Sequence, residues 1–478
     1  MEATTKASAH DTPSKWTVLA IVAVGVFMCT LDTSIVNVSL PAIAGYFGVP
    51  VGSEIEWVII AYLVIIASTL LVVGRLADRI GRKPIWMAGL IVFTLGSTLC
   101  GAAPTLWLLV AARVLQGIGG SLLMAVSPAL LVGAFPANER GRALGMNATV
   151  VALGITTGPP LGGTITASAS WRWIFYVNVP IGLAGLIATW LKLPRDRPRP
   201  ERQRFDVAGA FLLGFALAAL TVALSVGNVT GWGSWQVAVL AAVFVVAGAA
   251  FVIHERRHDA PLLDAKLFQN RLFASASASQ VLSFIAGFAT AFLLPVYLEQ
   301  LRGFGLAHTG VLLTAFPIVV AVLAPISGHT ADRIGTRGLA ATGMAVLCVG
   351  LVLMGCLGAD SPEWQIIGVQ VVAAIGMAVF QSPNNSAIMG AAPRDRQGVA
   401  AGMLATGRTT GQSISVAVAG AVFVSLGGAA AGRALLQHHG EPQLVARFLR
   451  GFSWALWTCA AISAIAIVTS LLRGREQR

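Results

Sequence analysis

Asp32 is the residue from which chemistry can be argued first. It is the one acid that falls well inside an apolar run, within LDTSIVNVSLP at Leu31–Pro41. A charge at membrane depth costs a few kcal/mol or more. In such surroundings a carboxyl's charge state depends on its neighbours, which is what a proton-coupled carrier needs. The alternative is a structural acid paired permanently with an arginine. Two cations share its oddity. Arg113 lies in the fourth apolar run, followed by Gln116 and Gly117. It either tunes proton uptake or hydrogen-bonds backbone carbonyls to stabilise packing. Arg408, in the thirteenth run, can pair with an acid, face a cavity or meet an anionic group on a substrate. Glu56 and Glu299 stand at run edges, as interfacial acids or parts of an outer vestibule.

A second set of residues reads as a gate. GRLADRIGRKP occupies Gly74–Pro84, between the second and third apolar runs. Gly81 supplies a tight turn. Asp78 precedes the next helix, where a carboxylate meets the positive end of a dipole. Arg79, Arg82 and Lys83 hold the loop on the basic side. ADRIG recurs at Ala331–Gly335, bringing Asp332 and Arg333 at an offset of 254 residues. Gly145-Met146-x-Ala148-Thr149 recurs as Gly402-Met403-x-Ala405-Thr406 at an offset of 257. Two nearly equal offsets imply an internal duplication.

A third set is mechanical. Gly154, Gly158 and Gly162 are four apart, with Gly163 beside them, so they share a helix face and permit close approach. Pro159 and Pro160 break the backbone ladder and favour a bend. Such a helix at the boundary between two halves can seal and pivot. Aromatic and amide groups within apolar runs are candidates for a substrate cavity: Asn37, Trp57, Tyr62, Tyr297, Phe316, Phe380, Gln381, Asn384 and Gln412, together with Arg408. Each is individually more often core or interface.

These residues need elements to hold them, and composition says what kind. The chain is 56% hydrophobic and 11% charged, against about 25% charged in a soluble domain. Lipid is therefore the solvent, and long unalternating apolar runs mean helices. Runs begin near Trp16, Trp57, Pro84, Leu106, Ala143, Trp173, Val207, Trp235, Leu272, His308, Gly338, Trp364, Val399 and Phe452, which predicts fourteen spans and both termini on one side. Of 32 Lys and Arg, 25 fall on the side of the termini and five on the other. That asymmetry predicts cytoplasmic termini in a multi-pass inner membrane protein. The net charge of +12 lies in short loops, so nucleic acid is not expected as a partner.

The duplication and the basic stretch RDRPRPERQR divide the chain into a six-helix half (residues 1–195), a linker with two inserted helices (196–270) and a second six-helix half (271–478). The inserted segment Val207–His254 has few polar groups beyond Asp206 and reads as a lipid-facing spacer. Ser425–Gly451 is expected as the longest outer loop, with His438 and His439, and could meet a periplasmic partner. Cys29, Cys100, Cys348, Cys356 and Cys459 form no CxxC pair. No GxxxxGK[ST] loop points to ATP, and no HExxH or paired Cys/His cluster marks a metal. No enzyme chemistry is expected, and no cofactor beyond protons as coupling ion.

The gating-loop pattern resembles that of the major facilitator superfamily. LDTSIVNVSLP and WRWIFYVNVPIG (Trp171–Gly182) are similar to signatures of its fourteen-helix drug:proton antiporter branch. Arg113-x-x-Gln116-Gly117 resembles the superfamily's helix-4 motif, and Gly154-xxx-Gly158-Pro159-xx-Gly162-Gly163 its exporters' helix-5 motif. The resemblance covers nearly the whole chain. It implies two pseudo-symmetric halves of an all-α membrane fold, proton coupling through Asp32 and Arg113, and export of drug-like or amphiphilic molecules. A dedicated exporter of an endogenous metabolite or self-made antibiotic shares these features. A nutrient importer or a non-transporting receptor fits the helix-5 motif and Asp32 less well.

Overall fold

Apolar segments away from water must satisfy their own backbone groups, and this chain does so with α-helices. The computed structural model describes residues 14–49, 54–194, 206–231, 233–258, 265–393, 396–435 and 441–473, and no strand occurs among them. The first six long helices are α1 (Lys15–Phe47), α2 (Trp57–Ile80), α3 (Arg82–Ala102), α4 (Leu106–Ala134), α5 (Arg140–Ser168) and α6 (Asn178–Lys192). Next come α7 (Val207–Thr230) and α8 (Trp235–Glu255). The last six are α9 (Arg271–Val296), α10 (Ala315–Ile334), α11 (Thr336–Gly355), α12 (Glu363–Ala391), α13 (Gln397–Ser425) and α14 (Pro442–Leu471). Short turns at Trp173–Tyr176 and Leu306–Leu313 lead into α6 and α10.

Among the described residues, twelve helices carry an apolar stretch long enough to cross a membrane. The two long helices outside that set are α5 and α13, each of 29 residues. Both exceed the roughly 20 residues a span needs, but Gly, Thr and Ser dilute their apolar character. One expected start differs. α14 begins at Pro442, ten residues ahead of Phe452. Proline at the first helical position is favourable, and Arg447 and Arg450 interrupt hydropathy without interrupting the helix. Much of the expected outer loop is therefore helical, with a further turn at Gly428–Leu435. His438, His439 and the RDRPRPERQR stretch lie outside the described residues.

Apolar burial organises the helices into two bodies. One core draws Val22, Trp86, Phe93 and Leu123 from α1, α3 and α4, and a neighbouring one holds Ile35, Leu109 and Phe175. A large core on the other side joins Leu293, Met344, Phe380, Phe423 and Phe452, from α9 and α11 to α14. Two smaller clusters bridge these bodies. One gathers Ala129, Leu144, Phe273, Ile388 and Leu404; the other gathers Ala148, Val320 and Ala374. α7 and α8 pack on each other, with α7 against α2 and α13. Their remaining faces leave Phe211, Phe215, Trp235 and Val246 exposed, as a lipid-facing surface would.

The duplicated ADRIG makes the same local structure twice. Gly81 (φ 103°) ends α2 and Gly335 (φ 94°) ends α10. That backbone region disfavours residues with a Cβ.

Candidate functional site

α1 carries Asp32 into the middle of the first body, where it is 0% exposed. Two other helices supply its partners. From α4, Arg113 Nη1 donates to Asp32 Oδ2 at 2.6 Å and Gln116 Nε2 donates to Oδ1 at 2.8 Å. From α6, Asn178 Nδ2 donates to the same Oδ1 at 3.0 Å. It also reaches Ser97 Oγ of α3 at 3.0 Å, and Ser97 donates on to the Phe175 carbonyl. As arranged, both carboxylate oxygens serve as acceptors of side-chain donors.

Arg113 is 1% exposed. Its Nε donates to the Val58 carbonyl at 2.9 Å and its Nη1 to Gln116 Oε1 at 2.7 Å. Its guanidinium carbon lies 4.1 Å from the centre of the Tyr62 ring. Arg113 thus combines the two readings open from sequence, since it pairs with the acid and also bonds a backbone carbonyl. A buried pair of this kind is costly to break from one side, about 3–5 kcal/mol.

A small cavity of about 50 Å³ lies between the two bodies. Its polar lining is Ser127 of α4, Asn147 of α5, Gln280 of α9, Gln381 and Asn385 of α12, and Arg408 of α13, with Met124 of α4 beside them. No acidic residue is in the lining. Arg408 Nη2 reaches Met124 Sδ at 3.6 Å, a weak acceptor. Tyr62 and Cys29 lie within electrostatic reach of both Asp32 and Arg408.

The gate crosses between the bodies. Asp78 accepts the N–H groups of Gly398 and Val399 at 2.8 and 3.1 Å. Asp332 accepts those of Gly141 and Arg142 at 3.0 and 3.2 Å. The expectation that Asp78 serves the following helix is corrected. Each aspartate serves the first turn of a helix in the opposite body, because the last turns of α2 and α10 pack directly on that helix, Gly74 against Gly398 and Gly328 against Gly141. A Cβ at Gly74 would lie 2.2 Å from the Gly398 carbonyl oxygen, and one at Gly328 would lie 2.1 Å from that of Gly141. Arg82 Nη1 donates to the Ala129 carbonyl at 2.6 Å and Nη2 to Gln397 Oε1 at 2.9 Å. Arg79 and Arg333 are exposed. Lys15, at the start of α1, pairs with Glu139 at 2.5 Å, so this gate lies on the face where α1 begins.

The glycines of the helix-5 motif do not face the other body. Gly154, Gly158 and Gly162 pack on Thr30, Ser34 and Ile35 of α1, and Gly163 is exposed with nothing near. α5 meets α10 through Gly141, Gly145 and Thr149, whose Oγ1 donates to the Ala321 carbonyl at 2.6 Å. The seal expected at the boundary is thus an α1–α5 contact within one body. α5 remains helical through Pro159 and Pro160. Proline has no N–H to offer the carbonyl four residues back. Ser34 Oγ donates to that carbonyl, Ile155 O, at 2.8 Å.

The cavity candidates separate clearly. Gln381 and Arg408 line the space. Tyr297 is buried in the large core, with its hydroxyl on the Gly358 carbonyl at 2.7 Å, and Phe380 belongs to the same core. Phe316 packs against it. Asn384 is buried against Gln280 and Arg473. Tyr62 is held under Arg113, Trp57 packs at the α2 entrance, and Asn37 is exposed. Gln412 is half-buried outside the cavity lining. A Cβ at Gly117 would lie 3.0 Å from the Tyr62 carbonyl oxygen.

Residues 22–257 and 276–478 match the family model described as Major Facilitator Superfamily. The chain belongs to the major facilitator superfamily. The riboflavin transporter RibZ of Clostridioides difficile (strain 630) is 34% identical over 86% of this chain and 88% of its own length. The multidrug resistance protein Stp of Mycobacterium tuberculosis is 35% identical over 84% of this chain and 74% of its own. The crystal structure of the human organic anion transporter MFSD10 superposes with a TM-score of 0.67 at 16% identity, covering 96% of this chain and 100% of that one. This major facilitator protein is accordingly a multi-pass membrane transporter and not an enzyme.

Sequence reasoning passed over Asn178, Ser97, Asn147, Gln280 and Asn385. Asn178 was visible inside WRWIFYVNVPIG, and Asn147 fills the variable place of the Gly145–Thr149 echo. Gly328 was predictable from Gly74 at the same offset of 254. Asn385 is adjacent to the chosen Asn384, and one residue of helix turns the side chain by about 100°.

Proposed function

We propose that this protein exports a small drug-like or amphiphilic molecule across the cytoplasmic membrane in exchange for protons. Two six-helix halves, residues 1–195 and 271–478, would alternate around the cavity, with residues 196–270 inserted between them. In this reading α5 and α13 also span, giving fourteen spans with both termini in the cytoplasm, as the basic loops favour. The cross-body contacts of Asp78 and Asp332 then latch the cytoplasmic face, and the substrate leaves to the outside.

The observation that carries the reading is Asp32 held by donors on α4 and α6. A proton arriving on Asp32 turns one oxygen from acceptor to donor and removes the counter-charge of Arg113. The protonated carboxyl keeps only part of its acceptor capacity, so its three donor contacts weaken and rearrange. Arg113 is left to the Val58 carbonyl, Gln116 and the Tyr62 ring, whose face attracts a cation by about 0.5–2 kcal/mol. Tyr62 lies on α2, the helix that also carries Asp78, so proton binding has a direct mechanical line to the latch.

The test is transport in proteoliposomes under imposed pH gradients, on wild type and Asp32→Asn. Dyes, quaternary ammonium compounds and secreted metabolites serve as substrates. Wild type moves at least one class against its gradient, and Asp32→Asn inserts normally without that coupling. Coupled transport retained by Asp32→Asn would sink the role of Asp32.

A second reading, export of one dedicated metabolite, is favoured by Arg408. A cavity with a cation, four amides and no acid suits an anionic or acceptor-rich molecule. The names of the relatives cover both readings, with riboflavin for one and multidrug resistance for the other.

A further inference from the structure

We propose that Asp206, His254 and His258 form a binding site for a divalent first-row transition ion, Zn²⁺ in particular, that staples together the ends of α7 and α8. None of these residues belongs to the proton network, the cavity or the latch.

Asp206 precedes α7, and its Oδ1 accepts the Gly209 N–H at 2.8 Å, as a helix cap does. That contact leaves its other oxygen unexplained. Asp206 is 3% exposed, and Oδ2 is buried with no hydrogen-bond partner. A buried acceptor left unmet is unfavourable by about 1–3 kcal/mol, and more when charged. The histidine contacts fall on Oδ1, so a cation shared by this carboxylate and both imidazoles would meet its buried charge as a whole.

The histidines supply the remaining ligands. His254 lies in the last turn of α8 and His258 follows four residues later, a spacing that puts both on one side as the helix ends. Their ring centroids are 5.3 Å apart. Their Nε2 atoms lie 2.8 and 4.0 Å from Asp206 Oδ1, and one donor atom from each of the three residues falls within 4.8 Å of the others. Zinc takes imidazole nitrogen and carboxylate oxygen at about 2.0–2.2 Å, which sets tetrahedral ligand atoms roughly 3.3–3.5 Å apart. The two observed separations straddle that value, so rotation of side chains suffices. Two imidazoles and one carboxylate suit Zn²⁺, Ni²⁺ or Cu²⁺ better than Mg²⁺ or Ca²⁺. The histidine side chains are 32% and 29% exposed, so an ion can enter from water, and water can fill a fourth position.

The competing outcome is a capping aspartate that merely hydrogen-bonds two histidines. Full-length protein in detergent, with any affinity tag removed, is titrated with Zn²⁺ by calorimetry and with Co²⁺ by visible absorption. Wild type is expected to bind one ion per chain at micromolar concentration or tighter. Co²⁺ should give the visible bands of a tetrahedral nitrogen/oxygen site, without thiolate charge transfer. H254A/H258A should bind at least about 100-fold more weakly. H258Q, altered past the end of α8, guards against a folding effect and should weaken binding while keeping the apo thermal transition. The proposal is overturned if wild type binds no stoichiometric ion, or if H254A/H258A binds equally well. It is also overturned if only H438A/H439A abolishes binding.

Discussion

Asp78 Oδ1 and the Gly398 N–H meet at 2.8 Å across the two bodies, and Asp332 meets Gly141 in the same way at 3.0 Å. The same carboxylate-to-helix-end contact is made twice, once from each half of a duplicated sequence. A carboxylate at a helix N-terminus is worth about 0.3–1 kcal/mol, and up to roughly 2 when partly buried. Asp78→Asn should therefore loosen the latch without unfolding either body. Spin labels at the exposed positions of Arg79 and Arg333 report it. Wild type should show one short separation, and Asp78→Asn should add a longer population, enlarged in the double variant with Asp332→Asn. An unchanged distribution in the double variant would show that these contacts do not hold the face shut.

Gly74→Ala tests the same contact by sterics. The added Cβ would lie 2.2 Å from the Gly398 carbonyl oxygen, a clash with backbone that has no flexible end to yield. Transport should fall at least about tenfold, more than for Asp78→Asn, because a barrier increase of about 1.4 kcal/mol already accounts for that factor. Gly390→Ala, where no atom lies within 4 Å, is the control and should transport normally.

Asp32 and Arg113 should separate in stability and coincide in function. Arg113→Met strands the Asp32 charge, and the melting temperature in detergent should drop by an amount that fits about 3–5 kcal/mol. Asp32→Asn combined with Arg113→Gln removes both charges and should recover most of that loss. Both variants should lack pH-driven transport. Equal instability in the double variant would mean that packing, not charge, holds these helices.

Ser34→Ala should destabilise the α1–α5 contact by about 1 kcal/mol, because Ile155 O loses its donor and Pro159 cannot replace it. Gly158→Leu should be far worse, since even a Cβ there falls 2.4 Å from the Ser34 Cβ. Thermal stability should rank wild type, Ser34→Ala, Gly158→Leu in descending order. A stable Gly158→Leu would contradict the observed approach of these helices.

Arg408→Gln should change selection rather than turnover in general. Loss of anionic substrates with cationic dyes retained would favour the dedicated-metabolite reading. Equal loss of both classes would assign Arg408 to structure.

The sequence by itself determined the solvent, the helices and the duplication. Those follow from short-range facts: apolar runs of membrane length, basic residues concentrated in alternate loops, and two offsets near 255 residues. It also singled out Asp32 and Arg113, since an ionisable residue within an apolar run stands out unaided. Only the tertiary structure decided who meets whom. By sequence Asp78 stands before its own next helix, but the close packing of Gly74 on Gly398 brings a different helix end to it. The stripe of Gly154, Gly158 and Gly162 fits a neighbour in either body, since a smooth stripe carries no address. Asn385 lines the cavity and Asn384 does not, because one step along a helix turns a side chain by about 100°. Asp206 and His254 lie 48 residues apart and converge because α7 and α8 form a hairpin. Local pattern sets the elements, while contact between distant residues depends on how helices are rotated and docked, which no local pattern encodes.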